Sequence, residues 1–478
     1  MRPMADFASL TAAFPPAQDS DWRALVEKTL KGAPLDSLRR ATAEGLPIEP
    51  LYPMAQAPAA FTPRPHDVER AWDLRIVTAH PDPARANREI LADLEGGAAS
   101  ALVRIDPTGA TGVAVGSAGD LARSLEGVLL ELAPVGLDAG FLGPKAADWL
   151  ASLAKASPRA KLLFHLDPLS AFAESGASPG PIESHLVSAA TVAARLADTY
   201  PEARLFLASG RVVHEAGGGE AAELAFAMAA AVAYAKAVVR AGLSMEQALR
   251  GVVIGLAADA DYFLVIAKLR AARLLWERIA EACGAPMPAM IEACSSRRML
   301  TAKDPWTNML RLTAAGFGAA VGGADAVVLG AFTDALGLPT AFGRRQSRNT
   351  QLVLMEEAHI GRVADPAAGS GYVEALTDQI ARAAWAQFQA IEAAGGLAAA
   401  LSAGLVVEAV AKARTAREAE PPKIVGVTAF PPAQDAPVEV ERPSPRAVEA
   451  PSPRLPGPDS ACPPLTPIRL AQPHEAAQ

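Results

Sequence analysis

Residues 252–259, VVIGLAAD, are apolar from end to end until the closing aspartate. A strand with only one buried face alternates apolar and polar residues; a run apolar on both parities is buried on both faces, as in a parallel sheet covered by helices. The residues that follow support this. Val265, Ile266, Leu269, Ala272, Leu275, Trp276 and Ile279 form one apolar stripe at helical spacing, with Lys268, Arg270, Arg273 and Glu277 around it. Upstream, RLFLASG (204–210) leads to an alanine-rich helix pattern over 223–241 that Gly242 stops.

Working outward, the strand and helix alternation repeats. Further β-rich runs are WDLRIVTA (72–79), SALVRIDP (100–107), VGLDAG (135–140), KLLFHLDP (161–168), MIEACSS (290–296) and AVVLGAF (326–332), which with the two above make eight. Eight strands joined by crossover helices predict an α/β fold closed as a (β/α)8 TIM barrel, with an open doubly wound sheet as the alternative. The pattern divides the chain into an N-terminal arm (1–60), a barrel (61–420) and a proline-rich tail (421–478) that is extended or disordered. Two short helices are expected in the arm, around 21–30 and 35–43.

Composition excludes several functions. With 44 Lys and Arg against 52 Asp and Glu, a formal charge of -8 and no dense basic run, nucleic acid is not an expected partner. Cys283, Cys294 and Cys462 form no CxxC pair, and the histidines (His66, His80, His165, His185, His214, His359, His474) show neither HxH nor HExxH spacing, so no metal site is expected. The apolar run LAFAMAAAVAYA is interrupted by Lys236, and the N-terminus has no secretory pattern, so a cytoplasmic protein without a membrane partner is expected.

In such a barrel, functional groups belong at the C-terminal ends of the strands. The candidates there are Asp106, Asp138, Asp167, Arg211, His214, Asp259, Asp261, Glu292 and Cys294. They make no P-loop, GxSxG elbow or dinucleotide fingerprint. A strand-end carboxylate commonly caps the next helix, and a lone His214 is more readily a hydrogen-bonded structural residue than an acid. Later in the chain, DPWTN (304–308) suits a helix start, and Arg344, Arg345 and Arg348 are placed to pair with Glu356, Glu357 or an anion.

At DPWTNMLRLT (304–313), GGAD (322–325), RNTQ (348–351), DPAAGSGYVEALTDQI (365–380) and AWAQFQAIEAAGG (384–396) the sequence resembles the cobalamin-dependent acyl-CoA mutases, specifically the methylmalonyl-CoA mutase family. KTLKGAPLDSL (28–38), GLPIEPLYP (45–53) and the helices at 223–243 and 263–279 extend the resemblance over about residues 20–400. It implies a barrel whose axis holds a CoA ester, and a separate flavodoxin-like domain for adenosylcobalamin.

The departures from the family pattern are specific. Where active chains read Ser-Gly-Tyr-His-Ile-Arg-Glu-Ala-Gly, this one reads SGRVVHEAG (209–217), so the Tyr and His positions are Arg211 and Val212 and His214 falls on the Arg position. EACSSRR (292–298) stands for the family's His-Thr-Gln element, and RIVTAHPDP (75–83) for its Arg-Gln-Tyr element; no Asp-x-His-x-x-Gly for cobalamin occurs. The resemblance therefore implies no catalytic residues on this chain. It points to the smaller, non-catalytic subunits of heterodimeric members, with adenosylcobalamin bound by a large catalytic partner subunit that also takes the acyl-CoA. Two alternatives are a catalytic barrel that borrows a separate cobalamin-binding subunit, and a CoA-ester binding protein in which the Arg211 guanidinium holds a carboxylate or phosphate.

Overall fold

The computed structural model describes residues 18–55, 57–65, 67, 69–419 and 422–475. Eight parallel strands close into a barrel: β1 (Asp73–Thr78), β2 (Ser100–Arg104), β3 (Val135–Asp138), β4 (Leu162–Leu166), β5 (Arg204–Ser209), β6 (Val252–Ala258), β7 (Ile291–Ser295) and β8 (Ala326–Val328), each bonded to the next and β8 to β1. All eight expected strands are present, and closure decides between barrel and open sheet. The seam is the register Ala326↔Asp73, Val327↔Leu74 and Val328↔Arg75.

The helices used below are α1 (Pro83–Glu95), α2 (Pro168–Ser175), α3 (Arg211–Glu215), α4 (Glu220–Arg240), α5 (Tyr262–Ala282), α6 (Asn308–Val321), α7 (Ala341–Leu352) and α8 (Gly371–Ala393). Outward residues of the strands, such as Val103, Leu137, Phe164, Phe206, Ile254 and Ala293, pack beneath these helices in one continuous core. The Tyr234 ring stacks on Phe206 at 4.7 Å and fixes α4 on β5. By length and composition α4 could cross a membrane, since it continues through Lys236 to Arg240; here 72% of its apolar window is buried in the molecule. Its alanines let α8 and the strands approach closely, which is the role of a core helix.

Two local expectations are corrected. The second arm helix is only a 3-10 turn, Leu35–Leu38, followed by a small hairpin pairing Arg40–Ala41 with Pro47–Ile48. Gly45 at φ 81° and Leu46 N–H donating to Thr42 Oγ1 at 3.1 Å make that reversal, which a helix would forbid. The first seventeen residues of the expected arm lie outside the described residues.

The second correction concerns α7. Arg344 and Arg348 pair with Glu89 (3.0 Å) and Asp93 (2.5 Å) of α1, not with Glu356 or Glu357, while Arg345 is exposed. Closure places the helix after β8 beside the helix after β1, so the inner face of α7 meets acids distant in sequence.

The tail runs extended around the C-terminal rim. It meets the loops in the order in which the strands circle the barrel. Val440–Glu441 pairs with Leu338–Pro339 after β8, and Glu441 reaches Arg85 of α1 at 2.8 Å. Val448 N–H then donates to Pro107 O after β2, and Leu455 and Cys462 N–H to Pro179 O and Gly176 O after β4. Ile468 N–H donates to Glu215 O after β5, and Leu470 N–H to Arg298 O after β7.

Candidate functional site

Inside a barrel, alternate residues of every strand point to the axis. Here several of them are charged. Arg75 of β1 is the centre: Nη1 pairs with Glu292 of β7, Nη2 with Asp73 at 2.6 Å, and Nε donates to Ser100 Oγ at 2.9 Å. Arg75 is 2% and Glu292 0% exposed, so this pair lies fully out of water. Ser100 Oγ also donates to Asp73 Oδ1 at 2.7 Å and closes the lower end of the cluster.

Above it, Cys294 Sγ accepts from Arg211 Nη1 at 3.1 Å, and the same guanidinium stands 3.8 Å from Glu292. Burial raises the Glu292 carboxyl less than Arg75, His165 and Arg211 lower it, and the group rests at about 2. Burial, with Arg211 opposing and the Glu292 carboxylate adding, pushes the Cys294 thiol up to about 12. Asp73, Arg75, Glu292, Cys294 and Arg211 thus make a polar column along the axis.

His165 stands beside this column on β4. It is 5% exposed, neither ring nitrogen has a hydrogen-bond partner among the described residues, and its backbone is left-handed (φ 47°) where the β4–β5 register shifts. Burial, with Arg75 and Arg211 adding, lowers the imidazole to about 4, so it is neutral at pH 7. Gly136 on β3 makes room for it: a Cβ there would lie 3.4 Å from the imidazole Cε1.

His214, on α3, lies outside the axis and is 0% exposed. Its Nδ1 is 3.3 Å from Glu223, and its Nε2 is 3.3 Å from Asp259 and 3.0 Å from Ser296 Oγ. Glu223 of α4 also takes Lys268 Nζ and the Ala257 N–H, both at 2.5 Å, and Asp259 takes Arg298 at 2.8 Å. Burial opposes ionisation of both acids, yet Lys268 and His214 bring Glu223 down to about 2, and Arg298 and His214 hold Asp259 well below the usual carboxylate range. Arg298 Nη1 donates in addition to the carbonyls of His214 and Gly218, so the network ties α3, α4, α5 and the loop after β7 into one piece.

The remaining candidates serve local structure. Asp167 and Asp261 accept from Ser170 N–H (3.2 Å) and Leu264 N–H (3.4 Å), capping α2 and α5. Asp106 gathers Thr108, Ala110 and Thr111 into a turn, and Asp138 pairs with Arg104 at 3.2 Å. Tyr234 O–H donates to Asp167 at 2.5 Å, yet burial still raises that carboxyl to about 7. Val212, the fourth residue of the SGRVVHEAG stretch, is 9% exposed.

The candidates therefore do not converge. Arg211, Cys294 and Glu292 share the axis, His214 and Asp259 share the outer network, and Asp106, Asp167 and Asp261 stand apart. Sequence reading missed Arg75, Asp73 and His165, whose only signal is a polar side chain at an inward position of an otherwise apolar strand. Among the described residues no group of three or more His, Cys, Asp and Glu side chains is placed to hold a metal ion. A small, partly open cleft lies at the opposite end of the barrel between Arg64, Arg273, Gly323 and Asp365.

Residues 68–453 match the family described as methylmalonyl-CoA mutase. This chain belongs to the methylmalonyl-CoA mutase family. It is 40% identical to the methylmalonyl-CoA mutase small subunit of Streptomyces virginiae, over 94% of this chain and 76% of that one. It is 42% identical to the probable methylmalonyl-CoA mutase small subunit of Mycobacterium tuberculosis, over 72% of this chain and 57% of the relative. To the small subunit of Propionibacterium freudenreichii subsp. shermanii it is 36% identical, over 88% and 70% respectively. A mutase-family barrel with a charged column on its axis is thus similar to relatives that are named small subunits.

Proposed function

We propose that this chain is the smaller, non-catalytic subunit of a two-subunit adenosylcobalamin-dependent methylmalonyl-CoA mutase, and that it supports a larger subunit that interconverts methylmalonyl-CoA and succinyl-CoA. The observation that carries this reading is the axial column. A CoA ester threading the barrel would have to displace the Arg75–Glu292 pair and the Arg211–Cys294 contact above it. Breaking a buried pair costs several kcal/mol because the partner charge is left desolvated. The column has its own partners and needs no ligand.

The residues at the family's catalytic positions agree. Val212 has neither donor nor acceptor in its side chain, so it can neither polarise a carbonyl nor pass a proton. The Arg211 guanidinium is directed to Cys294 and Glu292, which argues against the CoA-ester binding reading in which it clamps a carboxylate or phosphate. Adenosylcobalamin, which supplies the radical when bound, does not fit here either. The mouth it would cover holds Arg104, Asp138 and Arg211 engaged with protein groups, and Glu174 nearby has its carboxyl raised by burial and by Asp138. The cofactor and the rearrangement are therefore assigned to the larger subunit, and the same charged surface speaks against a catalytic barrel that borrows a separate cobalamin-binding chain. What this chain contributes is a rigid barrel surface for the partner.

The test is turnover of methylmalonyl-CoA with adenosylcobalamin, for this chain alone, for the larger subunit alone and for the mixture. Activity that rises only in the mixture, with co-elution on size exclusion, is the expected result. Turnover by this chain alone would overturn the reading.

A further inference from the structure

The tail is fastened unevenly. From residue 440 to 461 no side chain is buried. Between the short pairing at Val440–Glu441 and Pro456 the rim contacts are two main-chain bonds, from Val448 to Pro107 O (2.8 Å) and Leu455 to Pro179 O (2.9 Å), with an exposed Arg446–Asp82 pair at 3.4 Å. Beyond Gly457, by contrast, Ser460–Ala461 pairs with Ala177–Ser178 and Asp459 accepts from Gly180 N–H at 2.9 Å. From 462 onward Cys462, Leu465 and Ala471 are buried at 9%, 1% and 1%. There Cys462, Leu465, Ile468 and Leu470 all donate main-chain bonds to the rim, and Glu475 accepts from Ala302 N–H at 2.5 Å. Side-chain burial is the larger source of docking free energy, and exposed ion pairs add little.

The rim is shaped to the tail by missing side chains. A Cβ at Gly116 would lie 1.9 Å from Glu449 O, and one at Gly109 2.6 Å from Arg446 N, under the first part of the tail. Between the two parts, Pro456-Gly457-Pro458 holds Gly457 at φ 121°, a conformation open to glycine, with prolines fixing the chain on both sides.

We propose that residues 440–475 form a two-part strap in which 440–456 lifts from the rim about Gly457 while 462–475 stays fastened. Lifting frees the carbonyls of Pro107 and Pro179 and uncovers the glycine track beside the loops after β2 and β4. The inference stands on the geometry of this chain and is independent of the subunit assignment.

Hydrogen exchange on the full chain tests it. The Val448 and Leu455 amides are expected to exchange at least about tenfold faster than those of Cys462, Leu465, Ile468 and Leu470. Gly116→Ala places its methyl against the strap alone, and should speed Val448 a further several-fold while leaving Leu465, Leu470 and the barrel strands unchanged. Brief trypsin treatment of the unaltered chain should cut after Arg446 and Arg454 but spare Arg469. Equal protection along 448–470, or opening of Leu465 and Leu470 together with Val448 in Gly116→Ala, would overturn the two-part strap.

Discussion

Glu292→Gln is the most direct test of the axial column. The substitution keeps the shape and removes the charge opposite Arg75, which is 2% exposed and retains only Asp73 as a close carboxylate. It also leaves Arg211 with an un-ionised thiol as its nearest axial acceptor. Losing one partner of a buried pair costs about 3–5 kcal/mol, and the remaining Asp73 contact places this case near the lower end, about 3 kcal/mol. The assay is urea denaturation of the isolated chain at pH 7, followed by circular dichroism, comparing midpoints at constant slope. Replacing both partners, as in Arg75→Met with Glu292→Leu, removes the uncompensated charge and should recover most of the loss. The pH dependence supplies a second check. Because the folded Glu292 carboxyl sits at about 2, its contribution is present above the unfolded value of about 4.3 and is lost as pH falls from there through 2. A loss below about 1 kcal/mol for Glu292→Gln, or a double variant no better than the single, would refute the column as the element that closes the axis.

Other outcomes follow from the same geometry. His165→Leu removes two unpartnered ring nitrogens and should stabilise the chain by about 1 kcal/mol at pH 7, read from the urea midpoint. The unaltered His165, at about 4 when folded against about 6.5 unfolded, takes up its proton first in the unfolded chain; about 3 kcal/mol of stability is lost as pH falls from 6.5 to 4, and that slope should flatten in the variant. His214→Ala leaves the buried acids Glu223 and Asp259 without their shared partner and should cost about 2–4 kcal/mol, with no recovery on adding imidazole to a turnover assay of the mixed subunits. Leu465→Ala should cost about 2–3 kcal/mol in the tail's own unfolding, seen as faster amide exchange of 462–470 with the barrel core unchanged.

The eight strands were legible because each is a short β-rich run, most of them apolar on both parities, followed by a helical stripe, and that pattern survives without knowledge of pairing. The axial column was not. Arg75 sits in DLRIVT, where alternation reads a polar residue as facing water, and its partner Glu292 is 217 residues away. Glu292 was singled out for its strand-end position, but nothing local says that it points to an arginine on the opposite side of the sequence. The structural reading of His214 matches its burial, although its partners come from three separate elements. The tail gave no periodic signal because it docks through main-chain donors between prolines; the legible trace lies in the rim glycines, which sequence reading treats as ordinary turns. Arg344 and Arg348 were paired with the nearest acids in sequence, and barrel closure chose others.

That closure has a consequence for synthesis. Arg348 reaches Asp93 across 255 residues of chain, and β8 completes the sheet beside β1. At about 5–20 residues per second on the ribosome, the edge of β1 waits roughly 13–50 s for its neighbour. During that interval the nascent barrel is an open sheet with a bare, apolar edge and a half-formed charged interior, the state most prone to pair with another chain. The cell's demand for chaperones should therefore fall on the unfinished chain, and variants that weaken the seam should reduce yield before they alter the purified protein.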